Sequence, residues 1–125
     1  MFWVNGFHGV SRYVFDFSEL DAQVTWGLAR KMDLLGQTLI WFEDIPDWVK
    51  ATPTSQIEAV MNEHIDTVVG RYKGQIRAWN VVNEAVDDDG LLRRNHKWAE
   101  ALGNDYIRKA FVRAWAADPT AVLYY

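Results

Sequence analysis

The chain has no cysteine, no long apolar run and no basic stretch, and each absence excludes a class of protein. Without cysteine it has neither a disulfide framework nor a thiolate metal site. No segment approaches the ~18 apolar residues of a membrane span, and residues 1–6 lack the charged start and apolar core of a signal peptide. We therefore expect a soluble chain with no membrane partner.

Nucleic acids and nucleotides are poor candidate partners. The net charge is −4, and no basic run is longer than a pair such as Arg93-Arg94, so the positive surface that binds phosphate backbones is missing. Neither a Gly-x-Gly-x-x-Gly motif nor a P-loop occurs in the sequence. We expect no nucleic-acid partner and no nucleotide cofactor.

Aromatic residues, by contrast, are abundant. The chain has 125 residues, enough for one domain, and contains seven Trp, six Phe and five Tyr. Such side chains fill a core, but they also stack on sugar rings and wall small-molecule clefts. Composition alone leaves both uses open.

Hydrophobic spacing predicts helices that alternate with short apolar strands. Ser18, with Asp21 three residues later, indicates a capped helix start. The predicted helices are 18–33, 54–73 and 104–118, and the predicted strands are 38–42, 76–82 and 121–125. Short strands separated by helices indicate an α/β fold of parallel βα units.

The second predicted strand ends with an amide and a carboxylate side by side, Asn83 and Glu84. Ligands and catalytic groups gather at the carboxyl ends of strands in parallel α/β proteins. A solvated loop acid is the alternative interpretation of an arbitrary Asn-Glu pair. The sequence around it favours a catalytic site.

Separate blocks of the chain resemble, in order and spacing, the glycoside hydrolases of family 10, which are endo-β-1,4-xylanases. The matching blocks are Gly36-Gln37-Thr38-Leu39-Ile40-Trp41, Pro46-x-Trp48-Val49, Arg71-Tyr72-Lys73-Gly74, Trp79-Asn80-Val81-Val82-Asn83-Glu84, Gly103-x-Asp105-Tyr106-Ile107-Arg108-x-Ala110-Phe111, Ala117-Asp118-Pro119 and Leu123-Tyr124-Tyr125. The resemblance extends from about Phe15 to the last residue.

The resemblance implies that residues 1–125 are part of a family 10 catalytic domain. That domain is a (β/α)8 TIM barrel of ~250 residues, and the chain matches it from about the second helix to the fifth strand. The implied parent protein is secreted and hydrolyses xylan or a related β-glycan, as polysaccharide or oligosaccharide, without a cofactor or metal.

The resemblance also assigns roles within a retaining mechanism. Glu84 corresponds to the general acid/base, and Asn83 to the asparagine that binds the sugar hydroxyl beside the reacting carbon. Trp41 corresponds to an aromatic wall of the sugar pocket. The family's nucleophile lies on the seventh strand, in a Thr-Glu-Leu-Asp type motif, and no such motif occurs in this chain. We expect Gln37, Trp41 and Glu84 to line one cleft.

Four positions depart from the family pattern. Gln37 and Phe42 replace histidines, Asp44 replaces glutamine and Asn80 replaces aspartate. Gln37 keeps hydrogen-bonding groups but has no charge, whereas Phe42 has no hydrogen-bonding group. Sugar specificity is therefore expected to differ from that of a typical xylanase.

Other interpretations remain open. Glu43 and Asp44, at a predicted strand end, are candidates for a second carboxylate, although loop acids are the simpler explanation. The run Asp87-Asp88-Asp89-Gly90 lacks the alternating ligands of a calcium loop and predicts a solvated turn. Apart from a hydrolase, the chain is compatible with a non-catalytic carbohydrate-binding remnant or a truncated, inactive fragment. We expect the chain alone to hydrolyse no xylan.

Overall fold

The described part of the chain, residues 7–125, alternates helices with short strands in a computed structural model. In chain order the elements are α1 (Ser18–Ala29), β1 (Leu35–Gly36), α2 (Asp47–Ala51), a 3₁₀ turn (Thr54–Gln56), α3 (Ile57–Arg71), β2 (Ala78–Asn80), α4 (Lys97–Leu102), α5 (Asp105–Ala117) and β3 (Val122–Tyr124). The predicted alternation of helix and strand is confirmed.

The three strands form one parallel sheet in the order β1-β2-β3. Ala78–Asn80 pair with Val122–Tyr124, and Leu35–Gly36 pair with Ala78 and Trp79. Parallel neighbours need long crossover connections, and the helices between the strands supply them. The carboxyl ends of all three strands therefore lie at one edge of the sheet.

An extra residue interrupts the pairing between β2 and the chain segment that runs from β1 to Ile40. Gly36 lies opposite Trp79, and pairing resumes where Ile40 bridges Val82. Gln37 to Leu39 thus lie opposite only Asn80 and Val81, which is the geometry of a β-bulge. The prediction of a regular strand over 38–42 was wrong: the regular strand ends at Gly36, because the bulge breaks the ladder before it resumes.

Gly36 is required by close packing between β1 and β2. A Cβ atom at this position would lie 2.2 Å from the ring of Trp79. Trp79 is completely buried, so its ring has no space into which to retreat. A larger residue at position 36 would push apart β1 and β2, the strands that lead to Trp41 and Glu84.

The long helix α3 buries one face and agrees closely with its prediction. Its buried residues are Ile57, Val60, Met61, His64, Ile65, Val68 and Val69. Their spacing keeps them on one side of the helix, where α3 packs mainly against α5. The 3₁₀ turn before α3 explains why the predicted start, near Thr54, precedes the α-helix proper.

The predicted capping of the first helix was wrong. Ser18 is the first helical residue, and the N-cap position is Phe17, which makes no side-chain capping bond. Asp16 takes that role, because its Oδ1 accepts hydrogen bonds from the backbone N–H of Ser18 at 3.0 Å and from its hydroxyl at 2.6 Å. The helix also ends at Ala29 rather than near Asp33.

Two short helices and a hairpin were not predicted. α2 and α4 are too short to show a helical period in sequence, and both lie in the connections after strand ends. Between Glu84 and α4 the chain forms a hairpin in which Val86 pairs with Leu92. No helix in the described range is long and apolar enough to cross a membrane.

Candidate active site

Trp41 and Glu84 are in contact because the chain segments that follow β1 and β2 end side by side. The bridge between Ile40 and Val82 aligns the segments, and the Asn83 N–H donates to the Ile40 carbonyl at 2.9 Å. One residue further on, the Trp41 Nε1–H donates to Glu84 Oε2 at 3.1 Å. The contact orients one carboxylate oxygen, and the other makes no hydrogen bond within residues 7–125, where Glu84 is an exposed residue.

Glu84 has a backbone conformation that L-residues rarely adopt. Its φ is +51°, in the left-handed region, which costs a non-glycine residue on the order of 1–3 kcal/mol and is found disproportionately at functional sites. The next residue, Ala85, is buried, and its carbonyl accepts from the Arg93 N–H at 2.8 Å. The surrounding hairpin therefore holds Glu84 in the strained conformation.

A short hydrogen-bond relay orients the amide of Asn83. The Thr38 hydroxyl donates to Asn80 Oδ1 at 3.0 Å, and Asn80 Nδ2 donates to Asn83 Oδ1 at 3.1 Å. Because its oxygen is engaged, Asn83 has its NH₂ group available to donate to a ligand. Sequence inspection marked Asn80 as a departure from the family but gave no sign of this relay.

Gln37 lies apart from the contact between Trp41 and Glu84. It is exposed, lies within the bulge and lines a cavity with Leu20 and Val24 of α1. No hydrogen bond within residues 7–125 joins it to the Glu84 carboxylate. The expectation that Gln37 shares the cleft with Trp41 and Glu84 stays a prediction.

Trp48, which lies in one of the blocks that resemble the family, has a structural partner. Its Nε1–H donates to the His8 carbonyl at 3.1 Å, and the ring is half-buried against the core. Glu43 and Asp44 are exposed in the loop that follows Trp41. Within the described range, neither acid is hydrogen-bonded to Glu84.

The acidic segment after Glu84 is a tight turn. Gly90 has φ +78°, and Asp87 Oδ1 accepts from the Asp89 N–H at 3.0 Å and the Leu91 N–H at 2.8 Å. This is the solvated turn that the sequence predicted. Across residues 7–125, no cluster of three or more His, Asp or Glu side chains could hold a metal ion.

One sequence segment is similar to the family's nucleophile motif without sharing its position. The residues Ser18-Glu19-Leu20-Asp21 differ from Thr-Glu-Leu-Asp only at the first letter. They form the first turn of α1 rather than a strand end, and Asp21 is bound by Arg71 and Tyr72. Glu19 therefore lacks the placement that a nucleophile at the barrel rim requires.

Comparison with known proteins agrees with this geometry. The family model described as glycosyl hydrolase family 10 matches residues 7–125. Endo-1,4-beta-xylanase B of Paenibacillus barcinonensis is 42% identical over 118 residues, which cover 89% of this chain and 36% of that protein. Beta-1,4-xylanase of Dictyoglomus thermophilum is 41% identical, with 90% of this chain and 32% of the relative covered.

The solved structures give the same result. Xylanase 10B of Thermotoga petrophila RKU-1, solved in complex with xylobiose, superposes with a TM-score of 0.86 at 35% identity and covers 91% of this chain and 35% of that one. A family 10 endoxylanase retrieved from a sugarcane soil metagenome gives a TM-score of 0.84 at 39% identity, with 90% and 34% covered.

The chain spans about a third of the length of the curated relatives it matches, 36% and 32% in the two cases above. Its three parallel strands and their helices are part of a (β/α)8 barrel, so the predicted fold class is confirmed. The family model, the aligned relatives and the superposed structures each cover nearly all of the described residues. The chain therefore belongs to glycosyl hydrolase family 10.

Proposed function

We propose that this segment supplies the general acid/base of a retaining endo-1,4-β-xylanase-like glycoside hydrolase, and that Glu84 is this residue. The observation that carries the proposal is the position of the Glu84 carboxylate at the carboxyl ends of the strands, with one oxygen bound by Trp41 Nε1. Catalytic residues of barrel enzymes gather at this rim.

The geometry suits proton transfer to a glycosidic oxygen. Because Oε2 accepts from the indole, Oε1 is the oxygen available to a ligand. In a retaining reaction the acid protonates the leaving oxygen while a second carboxylate attacks the sugar, and the same residue then activates water. The two carboxyl groups must lie ~5–5.5 Å apart, and the family's nucleophile motif belongs to a strand beyond those matched here.

The proposed substrate is xylan or a related β-glycan, bound as a polymer or oligosaccharide. The names of the relatives and the xylobiose in the Thermotoga petrophila structure support this class. In this chain, Asn83 is proposed to donate from its NH₂ group to the hydroxyl beside the reacting carbon, and Trp41 to form a wall of the sugar pocket. Gln37 is proposed as a further substrate-binding residue.

The test uses a closed barrel, in which residues 7–125 are joined to the remaining strands of the Thermotoga petrophila enzyme. Glu84→Gln keeps the side-chain shape but removes the transferable proton. We expect hydrolysis of xylan to slow by ~10²–10⁴-fold. An aryl xyloside with a good leaving group needs little protonation to depart, so formation of its covalent intermediate should slow much less.

Glu43→Gln is the matched control, since it makes the same change in an exposed acid of the neighbouring loop. It should leave both rates nearly unchanged. An equal loss on both substrates in Glu84→Gln, or no loss on xylan, would remove Glu84 from the acid/base role. A closed barrel that binds xylan but releases no sugar would instead indicate a carbohydrate-binding remnant.

A further inference from the structure

Trp41 is held by its main chain as well as by its ring, and helix α4 supplies one of the main-chain contacts. The Nε1–H of Trp98, in the first turn of α4, donates to the Trp41 carbonyl at 2.8 Å. Trp98 is completely buried, so its ring has little freedom to move. On the other side, the Ile40 N–H donates to the Val81 carbonyl at 2.9 Å. The position of α4 therefore helps to fix where the Trp41 indole meets Glu84.

Helix α4 is short, and its first turn is capped by a histidine. His96 is the N-cap residue, and its Nδ1 accepts from the Ala99 N–H at 3.4 Å. Its Nε2–H donates to the Arg93 carbonyl at 3.1 Å. Because a carbonyl oxygen can only accept, the ring carries its proton on Nε2 and uses the lone pair of Nδ1 as the cap. The neutral imidazole is therefore the form that caps the helix.

Protonation of His96 would remove this cap. A proton on Nδ1 would face the Ala99 N–H, donor against donor, and the positive charge would lie at the helix end where backbone N–H groups already point outward. The side chains of serine, threonine and asparagine, which are usual at N-caps, do not titrate near neutral pH, whereas histidine does. The start of α4 is therefore sensitive to acid.

The surroundings of His96 favour its neutral form at pH 7. Burial lowers the pKa of His96 below its usual 6.5, and the Arg93 charge acts in the same direction, although the Arg93 carbonyl and Glu100 oppose this. Tyr106 of α5 meets the ring edge to face with centroids 5.3 Å apart, and burial raises the pKa of Tyr106 to about 12, so it is uncharged. The charged groups around the ring come from α4 and from the hairpin: Glu100, Asp87, Arg93 and Arg94.

We propose that His96 is a positioning residue for the acid/base: its neutral ring caps α4, α4 holds the Trp41 carbonyl through Trp98, and the Trp41 indole holds Glu84. The inference rests on the proposed role of Glu84 in glycan cleavage. His96 acts through intermediates, since its described hydrogen bonds go to the main chain of Arg93 and Ala99 rather than to the carboxylate. As pH falls below 6.5, loss of the cap loosens α4 and with it the contact between Trp41 and Glu84.

The first test follows the Trp41 indole N–H by NMR in the 125-residue chain, in dilute solution and with isotope-labelled tryptophan. We expect this signal to shift over the pH range in which the His96 ring signals titrate. His96→Ser keeps a capping oxygen but does not titrate, so this step should disappear. Any step that remains in His96→Ser belongs to carboxylates. The pair of His8 and His64 is intact in both proteins, so it contributes equally to each.

A second variant interrupts the same path at its next contact. Trp98→Phe keeps a buried aromatic ring but removes the N–H that donates to the Trp41 carbonyl. We expect it to shift the Trp41 indole signal at pH 7 and to abolish the step linked to His96. Trp115→Phe is the matched control, because it makes the same change at an exposed position on α5. It should leave the Trp41 signal and its pH dependence unchanged.

The second test measures catalysis in the closed barrel, on xylan and on the aryl xyloside with a good leaving group. A misplaced acid slows the substrate that needs protonation, whereas partial unfolding slows both equally. At pH 7 we expect His96→Ala to slow xylan hydrolysis by ~3–10-fold and formation of the aryl intermediate by less than ~2-fold. His96→Ser should restore the wild-type ratio of the two rates. Between pH 7 and pH 5.5, that ratio should fall further in the wild type than in His96→Ser.

The contrary outcomes separate this inference from the proposed function. A Trp41 signal that responds to neither His96→Ser nor Trp98→Phe would overturn the positioning role and leave the role of Glu84 standing. Equal ratios of the two rates in the wild type and His96→Ser at every pH would also overturn it, because the cap would then be structural only. A closed barrel in which Glu84→Gln loses nothing on xylan would remove the acid/base, and the positioning role with it, whatever the NMR result.

Discussion

Glu84 is held by a combination of local strain and one specific hydrogen bond. A left-handed φ at glutamate is unfavourable, and it persists because the ladder before Asn83 and the hairpin after Ala85 determine the chain direction on both sides. The indole of Trp41 then selects the side-chain position. Lys31 and Asp44 have a similar φ, +56° and +52°, so it is the contact with Trp41 that distinguishes Glu84.

Asn80 is expected to control which group of the Asn83 amide faces a bound ligand. In Asn80→Leu, a change of similar size, the amide donor to Asn83 Oδ1 is lost. The Asn83 amide is then no longer held with its NH₂ group toward the ligand. In the closed barrel, we expect kcat/KM on xylooligosaccharides to fall by ~10-fold, the equivalent of one hydrogen bond of ~1.4 kcal/mol.

A second substrate tests the mechanism of that loss. A 2-deoxy aryl xyloside lacks the hydroxyl that Asn83 is proposed to bind, so Asn80→Leu should change its hydrolysis little. Asn104→Leu makes the same change at an exposed position before α5 and should affect neither substrate. Equal losses on both substrates in Asn80→Leu would show general damage to the site rather than reorientation of Asn83.

At the scale of elements, a buried histidine pair joins the segment before α1 to helix α3. His8 Nε2 donates to the Arg12 carbonyl at 2.9 Å, so in the neutral ring its Nδ1 accepts a hydrogen bond from His64 Nδ1, also at 2.9 Å. His8 stacks on Phe15 with centroids 3.7 Å apart. Protonation of His8 at Nδ1 would remove the acceptor on which the contact depends.

This pair makes stability depend on pH in a defined direction. Burial lowers the pKa of His8 and of His64 from the usual 6.5, although the Arg12 carbonyl and Glu63 partly oppose this for His8. The unfolded chain therefore binds more protons, and the stabilisation is complete above pH 6.5 and is lost as pH falls below it. We expect the thermal midpoint to fall between pH 7 and pH 5.5.

A glutamine at position 8 provides the comparison. His8→Gln can still donate and accept but does not titrate, so its melting temperature should fall less steeply over the same pH range, even though lost stacking costs ~1–2 kcal/mol at pH 7. The ion pair between Arg12 and Glu63 remains in this variant. Identical pH slopes in the two proteins would contradict the role of the pair.

The elements also show what can be read from sequence and what cannot. α3 was predicted well because its period is long and uninterrupted. The strand before Trp41 was misplaced because a bulge at Gln37 to Leu39 depends on the neighbouring strand, which a local pattern does not contain. The Asn-Glu pair at the end of the predicted strand drew attention to Asn83 and Glu84, because it is a local sequence pattern. The relay from Thr38 through Asn80 joins residues of two neighbouring strands, so only the structure reveals it.

The stacking of Arg93 on Phe42 is a similar case. Arg93 was visible in the sequence as part of a basic pair, and Phe42 as a departure from the family. The stacking depends on the hairpin that returns the chain from Val86 to Leu92 beside Ala85. No sequence period marks such a return, so the contact could not be predicted.

At the scale of the whole molecule, the described sheet has two open edges and leaves large apolar side chains exposed. These include Trp26, Leu35, Val112, Trp115, Val122, Tyr124 and Tyr125. β1 and β3 are the outer strands, and only their inner edges pair with β2. Unpaired strand edges and apolar surface of this kind promote association between chains.

We therefore expect the 125-residue chain to self-associate as its concentration rises, which sedimentation velocity would measure. Val122→Lys places a charge on the exposed edge strand β3 and should shift the equilibrium toward monomer, because a charge opposes strand-to-strand pairing. Ser55→Lys, the same charge change in the exposed 3₁₀ turn, should not. A wild-type monomer at all concentrations, with one sharp thermal transition, would show instead that three strands and their helices are sufficient for a stable, independent unit.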